Sequence, residues 1–308
     1  MNNNNFEQVN CAVCGADNTE KICERGQFGL PTHVVICKEC GLSYLNPRWD
    51  KARYVHFYEK EYDKYYRPNV QKNTERAGIN YYQPVYERLQ KSGFLPDNIQ
   101  QVLDIGSGDG NNLEYLMEKI PNANYHAIEP SEECRKTLIG MGVNMIGTDI
   151  DIDFQENFEG FFDVVIMRHV LEHFANPVSA MQKVRAILKD DGIAYIAVPN
   201  NLKFGNSKLL DNWFRVVHTY YFNVHSLENV FRKAGINALL MEEGDEYNQK
   251  ELFVIVKKGK VEEVDIKLEN YTIQKDVFDK KLKGEKTLIN NLKRRVKYDI
   301  PQAFKTKK

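Results

Sequence analysis

The sequence predicts an α/β fold: a doubly wound parallel sheet with a small four-cysteine module ahead of it and a charged helical tail behind it. Three observations predict it. From Gln101 onward, short apolar runs of strand length alternate with segments of helical period, the rhythm of a parallel sheet buried between helices. The first of those runs ends in an acid and a glycine-rich turn, Asp104-Ile-Gly106-Ser-Gly108-Asp-Gly110. Near the start, Cys11-Ala-Val-Cys14-Gly15 and Cys37-Lys-Glu-Cys40-Gly41 repeat one spacing, with 22 residues between them.

At 308 residues the chain has room for one large domain and a smaller unit at either end, since single domains usually run to roughly 100–200 residues. Hydrophobic residues make up 42% and charged ones 28%, which excludes a wholly disordered or collagen-like chain. Met1 to Asn10 is Asn-rich, lacks the basic and apolar regions of a secretion signal, and no apolar stretch reaches bilayer length. A cytoplasmic protein without membrane insertion is the expectation. In that reducing compartment the six cysteines are thiols or metal ligands before they are disulfides. Net charge is −1 and uneven: Lys260–Lys308 carries 14 Lys+Arg against 8 Asp+Glu, a balance of +6, which leaves −7 for Met1–Gly259. That distribution does not point to nucleic acid.

Residues 1–48 form the first expected unit. Its knuckles let the thiolates of Cys11, Cys14, Cys37 and Cys40 converge, the glycine behind each allows a tight turn, and together they make a closed tetrahedral site for a structural Zn2+. Iron in a rubredoxin-like site is the other occupant this spacing allows. So short a segment cannot bury enough surface to fold alone, so the metal supplies folding energy. Cys23 and Cys134 lack such partners and read as core or surface thiols.

Residues 49–98 read as a helical linker or lid. After Asn46-Pro47-Arg48-Trp49, the rings of Tyr54, Tyr58, Tyr62, Tyr65 and Tyr66 recur as on an amphipathic helix that packs on the next domain, faces a ligand, or does both. Tyr82, Val85, Tyr86 and Leu89 mark a second helix over Asn73–Ser92.

Residues 99–259 hold the main domain. Strands are expected at Val102–Ile105, Asn124–Ile128, Val143–Ile146, Phe162–Met167 and Ile193–Val198, with helices at Asn111–Ile120, Ser131–Met141 and Pro177–Leu188. Ser226 is expected to cap a helix through Phe231. Ala238–Met241 and Leu252–Val256, parted by the acidic turn Glu242–Asp245, form a hairpin at the sheet edge. Residues 260–308 mix charge with Val277, Phe278, Leu282, Leu288, Ile289 and Leu292 at roughly helical spacing. Such a stripe suits packing on the chain itself, self-association or docking of a partner.

The glycine-rich turn lets a ligand approach the backbone closely. It departs from the dinucleotide fingerprint, whose third glycine falls three residues after the second: that position is Asn111, and Gly110 comes one residue early. NAD is therefore disfavoured. Asp104 suits an ammonium group better than a pyrophosphate, because opposite charges attract strongly in a poorly hydrated cleft, and S-adenosylmethionine carries such a group. Glu129, 21 residues after Gly108 at the end of the second strand, can accept two hydrogen bonds from a ribose diol. Asp149, after the third strand, can receive an adenine amino group.

Together, Asp104-x-Gly106-x-Gly108-x-Gly110, Glu129, Gly147-Thr-Asp149 and Phe162-Asp-Val-Val-Ile-Met-Arg168-His169-Val-Leu-Glu172-His173 resemble the successive motifs of class I methyltransferases over about Gln101–Lys258. The resemblance implies a Rossmann-like seven-stranded sheet with the last strand antiparallel. It also implies S-adenosylmethionine as cofactor, held by Asp104, Gly106, Gly108, Gly110, Glu129, Asp149 and Arg168. The four-cysteine module followed by Asn46-Pro47-Arg48 is further similar to a bacterial subgroup that methylates sugar nucleotides and surface-glycan precursors, which implies a sugar-bearing small-molecule acceptor.

Methyl transfer is an in-line displacement at a sulfonium carbon, so the enzyme aligns a nucleophile and excludes water. A hydroxyl acceptor also gains from a base, and histidine titrates nearest neutral pH; His169, His173, His218 and His225 are the candidates. His169 comes first because it sits just beyond the fourth strand, at the carboxyl edge where such sheets bind ligands. His225 and Tyr221 follow, from His218-Thr-Tyr-Tyr-Phe-Asn-Val-His225. Sugar C-methyltransferases that resemble the chain carry a Tyr and a Glu-His pair here, whereas Val224 precedes His225, so O- or N-methylation is expected. Acceptor specificity is expected in the insertion from Pro199-Asn200-Asn201 to Trp213-Phe214.

Three other readings use the same residues. His169-Val-Leu-Glu172-His173 also spells the H-x-x-E-H pattern of a class of zinc peptidases, in which both histidines face one side of a helix. Its place after a buried strand favours the methyltransferase landmark instead. One group of ribosomal RNA base methyltransferases joins a cysteine module to this fold, yet Met1–Val70 balances 9 Lys+Arg against 9 Asp+Glu and offers no basic face. A zinc-dependent interaction protein that binds cofactor without turnover is the third, and intact motifs at every cofactor position stand against it.

Overall fold

The computed structural model describes residues 5–66, 83–204, 209–245 and 248–294. The chain opens with β1 (Phe6–Glu7), β2 (Thr19–Arg25), β3 (Pro31–Cys37), β4 (Ser43–Leu45) and β5 (Arg48–Trp49). The first knuckle precedes β2 and the second joins β3 to β4, so antiparallel pairing of Thr19 with Cys37 draws the two knuckles together. Helix α1 (Lys51–Lys60) starts where the Asp50 carboxylate accepts the Arg53 N–H, and the short α2 (Tyr62–Tyr65) follows. Helix α3 (Gln83–Ser92) leads into the main domain. Tyr82 and the expected helical start at Asn73 lie outside the described residues.

The main domain runs β6 (Gln101–Ile105), α4 (Asn111–Lys119), β7 (Asn124–Ile128), α5 (Glu132–Gly140), β8 (Asn144–Gly147), β9 (Phe162–Arg168), α6 (Pro177–Ile187) and β10 (Leu188–Pro199). It continues with β11 (Tyr220–Tyr221), α7 (Val224–Ala234), β12 (Ile236–Glu243) and β13 (Glu251–Lys258), and the long α8 (Leu268–Arg294) follows. Seven strands form one sheet in the order β12-β13-β10-β9-β6-β7-β8. Strand β13 is antiparallel to both of its neighbours, as the Rossmann-like expectation requires.

Period-two alternation puts apolar side chains on both faces, because helices cover each one. On β9, Val164 and Ile166 join one core while Val165 and Met167 join the other; on β10, Tyr195 and Ala197 oppose Ile196 and Val198 in the same way. Chain order reverses between β6 and β9, which opens a crevice at their carboxyl ends, the usual ligand position in such sheets.

The helix after β11 corrects one expectation. Asn223, not Ser226, is the N-cap, and Ser226 is the reciprocal member of a capping box three residues inside a helix that runs on to Ala234. Gly235 ends it in the left-handed conformation with φ 71°.

The module is not self-contained. Its sheet, ordered β11-β4-β3-β2, takes its last strand from Tyr220–Tyr221. Helix α8 closes over it: Phe278 is fully buried among Val34, Ile36, Leu45, Phe204, Phe214 and Tyr221, a burial worth about 1.5–3 kcal/mol for one such ring. Gln274 fixes the register, donating to the Asn201 carbonyl at 3.1 Å and accepting from Asn223 Nδ2 at 2.9 Å. The apolar stripe of the tail therefore packs on the chain itself over its first half; the side chains of Leu288, Ile289 and Leu292 lie outside the described residues. Among the described residues no helix is long and apolar enough to cross a membrane.

Candidate active site

At the carboxyl end of β6 the chain turns sharply, and its three glycines have three different jobs. Gly106 (φ 73°) passes so close to Val170 that a Cβ would stand 2.4 Å from its methyl group, and at Gly110 (φ 80°) a Cβ would meet Leu138 at 2.7 Å. Both serve internal packing. Gly108 (φ 56°) has open space where its side chain would be, so it alone of the three offers bare backbone to a ligand.

This turn forms one wall of a cleft of about 1470 Å3, lined also by Glu129, Asp149, Arg168, His169 and the tyrosine-bearing helix α1. Glu129 is buried, and its carboxylate accepts the Gly108 N–H at 2.8 Å and the Ser131 N–H at 2.7 Å. It thereby fixes the glycine turn while keeping lone pairs for a further donor. Asp149 sits at the rim, accepting the Asp151 N–H at 2.9 Å and lying 3.7 Å from the Lys51 ammonium.

Asp104 is 1% exposed, and its Oδ2 has no hydrogen-bond partner. Burial, then the neighbouring Glu129 carboxylate, raises its pKa to about 8 against the pull of Arg168. A buried carboxylate left without a donor is complementary to a cation that arrives with the ligand. These residues fit S-adenosylmethionine: an orphaned acid for the ammonium, bare backbone at Gly108, and Glu129 for the ribose.

His169 also lines the cleft, at φ 56° and 30% side-chain exposure. Its Nε2 lies 2.7 Å from Glu251 Oε2 and its Nδ1 3.7 Å from Glu172 Oε1. Burial alone would lower its pKa, but these two carboxylates prevail and raise it to about 10. In this geometry the imidazole faces two carboxylates, and both favour its charged form.

Glu251 opens β13 fully buried, is held well below the usual carboxylate range by His169, Arg168 and Arg88 despite its burial, and pairs directly with the Arg88 guanidinium. Arg168 Nε is 3.6 Å from Glu251 Oε2, so the expected cofactor ligand stands in this ion network as well as on the cleft wall. Arg88 also grips Asp245 with two bonds of 2.7 Å. Glu251 and Arg88 were not foreseen: each stands among other charged residues of its strand or helix, and no local pattern singles it out.

Two further histidines flank Glu172. Burial lowers the pKa of His173 and pushes that of His218 well below the usual value, so both are neutral. Their rings meet edge to face at 4.8 Å. Leu171–His173 is a single 3-10 turn, so the helix face that a zinc-peptidase reading needs is not there.

The other two proposed catalytic residues are not brought to the cleft. The Tyr221 hydroxyl donates to the Arg215 carbonyl at 2.7 Å and accepts the Arg215 N–H at 2.9 Å, inside the core beneath α8. His225 stands in the first turn of α7 and lines no part of the cleft. The tyrosine stretch packs on the main domain and also lines the cleft. Tyr54 donates to the Val216 carbonyl at 3.0 Å, and Tyr58, on the cleft wall, bonds His173 Nδ1 at 2.9 Å. Trp213, from the long insertion, also lines the cleft and donates to Asn201 Oδ1 at 3.1 Å.

Away from the cleft, the Sγ atoms of Cys11 and Cys40 and those of Cys14 and Cys37 lie 3.5 Å apart, with all four within 4.8 Å. Thiolates bound at ~2.3 Å around a tetrahedral zinc are spaced by about 3.8 Å, so the set fits such an ion. Cys23 and Cys134 stand elsewhere: Cys134 donates to Asp109 Oδ1 at 3.2 Å and Cys23 to the Thr32 carbonyl at 3.5 Å.

Comparison with known proteins agrees with this geometry. Residues 54–240 match the family model described as methyltransferase domain. A ubiquinone biosynthesis O-methyltransferase of Actinobacillus pleuropneumoniae serotype 7 (strain AP76) is 33% identical over 111 residues, 33% of this chain and 46% of that protein. The match thus spans about half the length of that curated relative. Among solved structures, the plantazolicin methyltransferase BpumL, in complex with a triazolic desmethylPZN analog and SAH, superposes with TM-score 0.52 at 16% identity, covering 67% of this chain and 95% of that one. That likeness is one of fold.

Proposed function

Because the chain belongs to the methyltransferase-domain family, we propose that it transfers a methyl group from S-adenosylmethionine to an oxygen or nitrogen of a small, polar, sugar-bearing acceptor. The observation that carries the reading is the buried Asp104 carboxylate, with Oδ2 unpartnered, beside a glycine turn that is open at Gly108. Asp104 would hold the ammonium group, Glu129 the ribose diol and Asp149 the adenine amino group. When bound, the cofactor supplies an electrophilic methyl on its sulfonium sulfur. The chain's own task is to place the acceptor atom in line with that methyl and keep water away.

The acceptor end of the cleft suits a sugar nucleotide. Trp213 supplies a flat apolar face on which a sugar ring can lie, and Arg48 and Arg215 supply cations for a diphosphate. The four cysteines hold a structural zinc in this reading, and the ion secures the module that carries Arg48 and Trp49 to the cleft edge.

The test is transfer of labelled methyl from S-adenosylmethionine to a panel of nucleotide sugars, the matching free sugars, and ribosomal RNA. Label on nucleotide sugars alone supports the reading. Label on RNA would replace the acceptor class, and failure of the protein to bind S-adenosylmethionine at all would remove the proposal.

A further inference from the structure

We propose that Glu172, His173 and His218 bind a divalent transition-metal ion in the acceptor half of the cleft, leaving coordination positions open for an oxygen of the acceptor. The identity of that oxygen rests on the methyl-transfer reading; the ion site stands on geometry of its own. One ligand atom from each residue lies within 4.8 Å of the other two. Bonds of ~2.0–2.2 Å hold ligands up to about 4.3 Å apart, so a small contraction closes the set. Two histidines and one carboxylate suit Fe2+, Mn2+, Co2+ or Zn2+ and leave one face of the ion free.

A second observation points to a missing cation. Glu172 is 1% exposed, yet neither carboxylate oxygen has a hydrogen-bond partner, where a buried carboxylate ordinarily gathers several. The ring nitrogen His169 Nδ1 is 3.7 Å from Glu172 Oε1, beyond hydrogen-bond length.

The surroundings orient the ligands. His173 Nδ1 is engaged by the Tyr58 hydroxyl, and Nε2 lies 4.0 Å from Glu172 Oε1; metal-bound histidines are commonly fixed in this way through their second nitrogen. Thr219 Oγ1 reaches the carbonyls of Glu172 and Phe174 at 2.9 and 2.6 Å, clamping the loop that carries His218 against the turn that carries the other two. All three residues line the cleft, so the open face meets the acceptor. An ion there would orient a hydroxyl, or a vicinal pair of them, and acidify it.

The test uses the full chain, stripped with a chelator and reloaded. Mn2+, which thiolate sites take poorly, should bind once per chain by electron paramagnetic resonance. Co2+ should give weak d–d bands beside the intense thiolate charge-transfer bands of the cysteine set. Glu172→Gln and His218→Ala should each abolish Mn2+ binding and the weak bands while keeping the thiolate bands, which report a folded chain. Failure of the native protein to bind Mn2+, or binding undiminished in both variants, overturns the proposal. Binding of S-adenosylmethionine is titrated in the same samples: Mn2+ bound without it would sink the methyl-transfer reading and leave the ion site standing, and the reverse result would do the opposite.

Discussion

The half of the cleft proposed for the cofactor comes from one contiguous turn, lined by Gly106 to Asp109, Asn111 and Asn112 with Asp104 buried behind it, and from the ends of two neighbouring strands. The other half is drawn from Tyr58, His169 to His173, Trp213, His218 and the hidden Glu251, segments that meet only through the fold. The first half depends on local backbone shape, three glycines with φ between 56° and 80°. The second depends on long-range ion pairs and on a module whose sheet is completed by β11. A local site survives damage elsewhere in the chain; a site assembled at long range does not.

The strongest way to break this contrast is to remove the metal expected at the cysteines. Cys37→Ser with Cys40→Ser should melt the module, since structural zinc contributes on the order of 10 kcal/mol to folding, and acceptor turnover should disappear. Binding of S-adenosylmethionine, by titration calorimetry, should stay within about tenfold of the parent. Equal loss of both would show that the two halves are one unit.

Next in size is Glu251→Ala, which leaves Arg88, Arg168 and His169 around a missing carboxylate. Breaking a buried pair from one side costs about 3–5 kcal/mol, to be read by denaturant unfolding. A change under 1 kcal/mol would mean that the network is replaceable.

Asp104→Asn addresses the local half. Losing a charge-assisted bond of about 1.5–3 kcal/mol should weaken S-adenosylmethionine binding roughly 10- to 150-fold. The sign of the pH effect follows from a folded pKa of about 8 against an ordinary 3.8. Between those values the folded chain binds more protons than the unfolded one, so Asp104 makes the ligand-free protein less stable as pH rises through that window. Asp104→Asn should therefore raise Tm relative to the parent, most at pH 8 and above. Cofactor binding at pH 7 should release a proton in the parent and none in the variant, measured as a buffer-dependent binding heat. A buffer-independent heat in the parent would place the ammonium elsewhere.

The smallest effect belongs to Tyr221→Phe, which removes the hydroxyl that bridges the Arg215 backbone. A loss of about 1 kcal/mol in stability is expected, with kcat unchanged; a large fall in kcat would return Tyr221 to the chemistry.

Much of the molecule was legible beforehand because its signals are local. The apolar alternation of β6, β9, β10 and β13, the glycine-rich turn and the paired cysteine knuckles each carry their meaning within about ten residues. Strand ends therefore placed Glu129 and Asp149 at the cleft before any contact was known. The cap at Asn223 was missed because Asn and Ser three residues apart both make caps, and only the backbone conformation chooses between them.

What only tertiary structure decided is the partnership of charges and rings far apart in the chain. His169 follows its strand as expected, but whether it is a base or a cation depends on Glu251, 82 positions further on, entering the core beside it. Tyr221 and His225 share a segment with His218, yet β11 pairing and the α7 cap turn them away while Thr219 clamps His218 in place. The tail reads from sequence as a helix with one apolar stripe, and packing gave that stripe its partner, the module sheet. Periodicity along a chain records which face of an element is apolar; electrostatics and packing act through space, and no spacing in sequence encodes them.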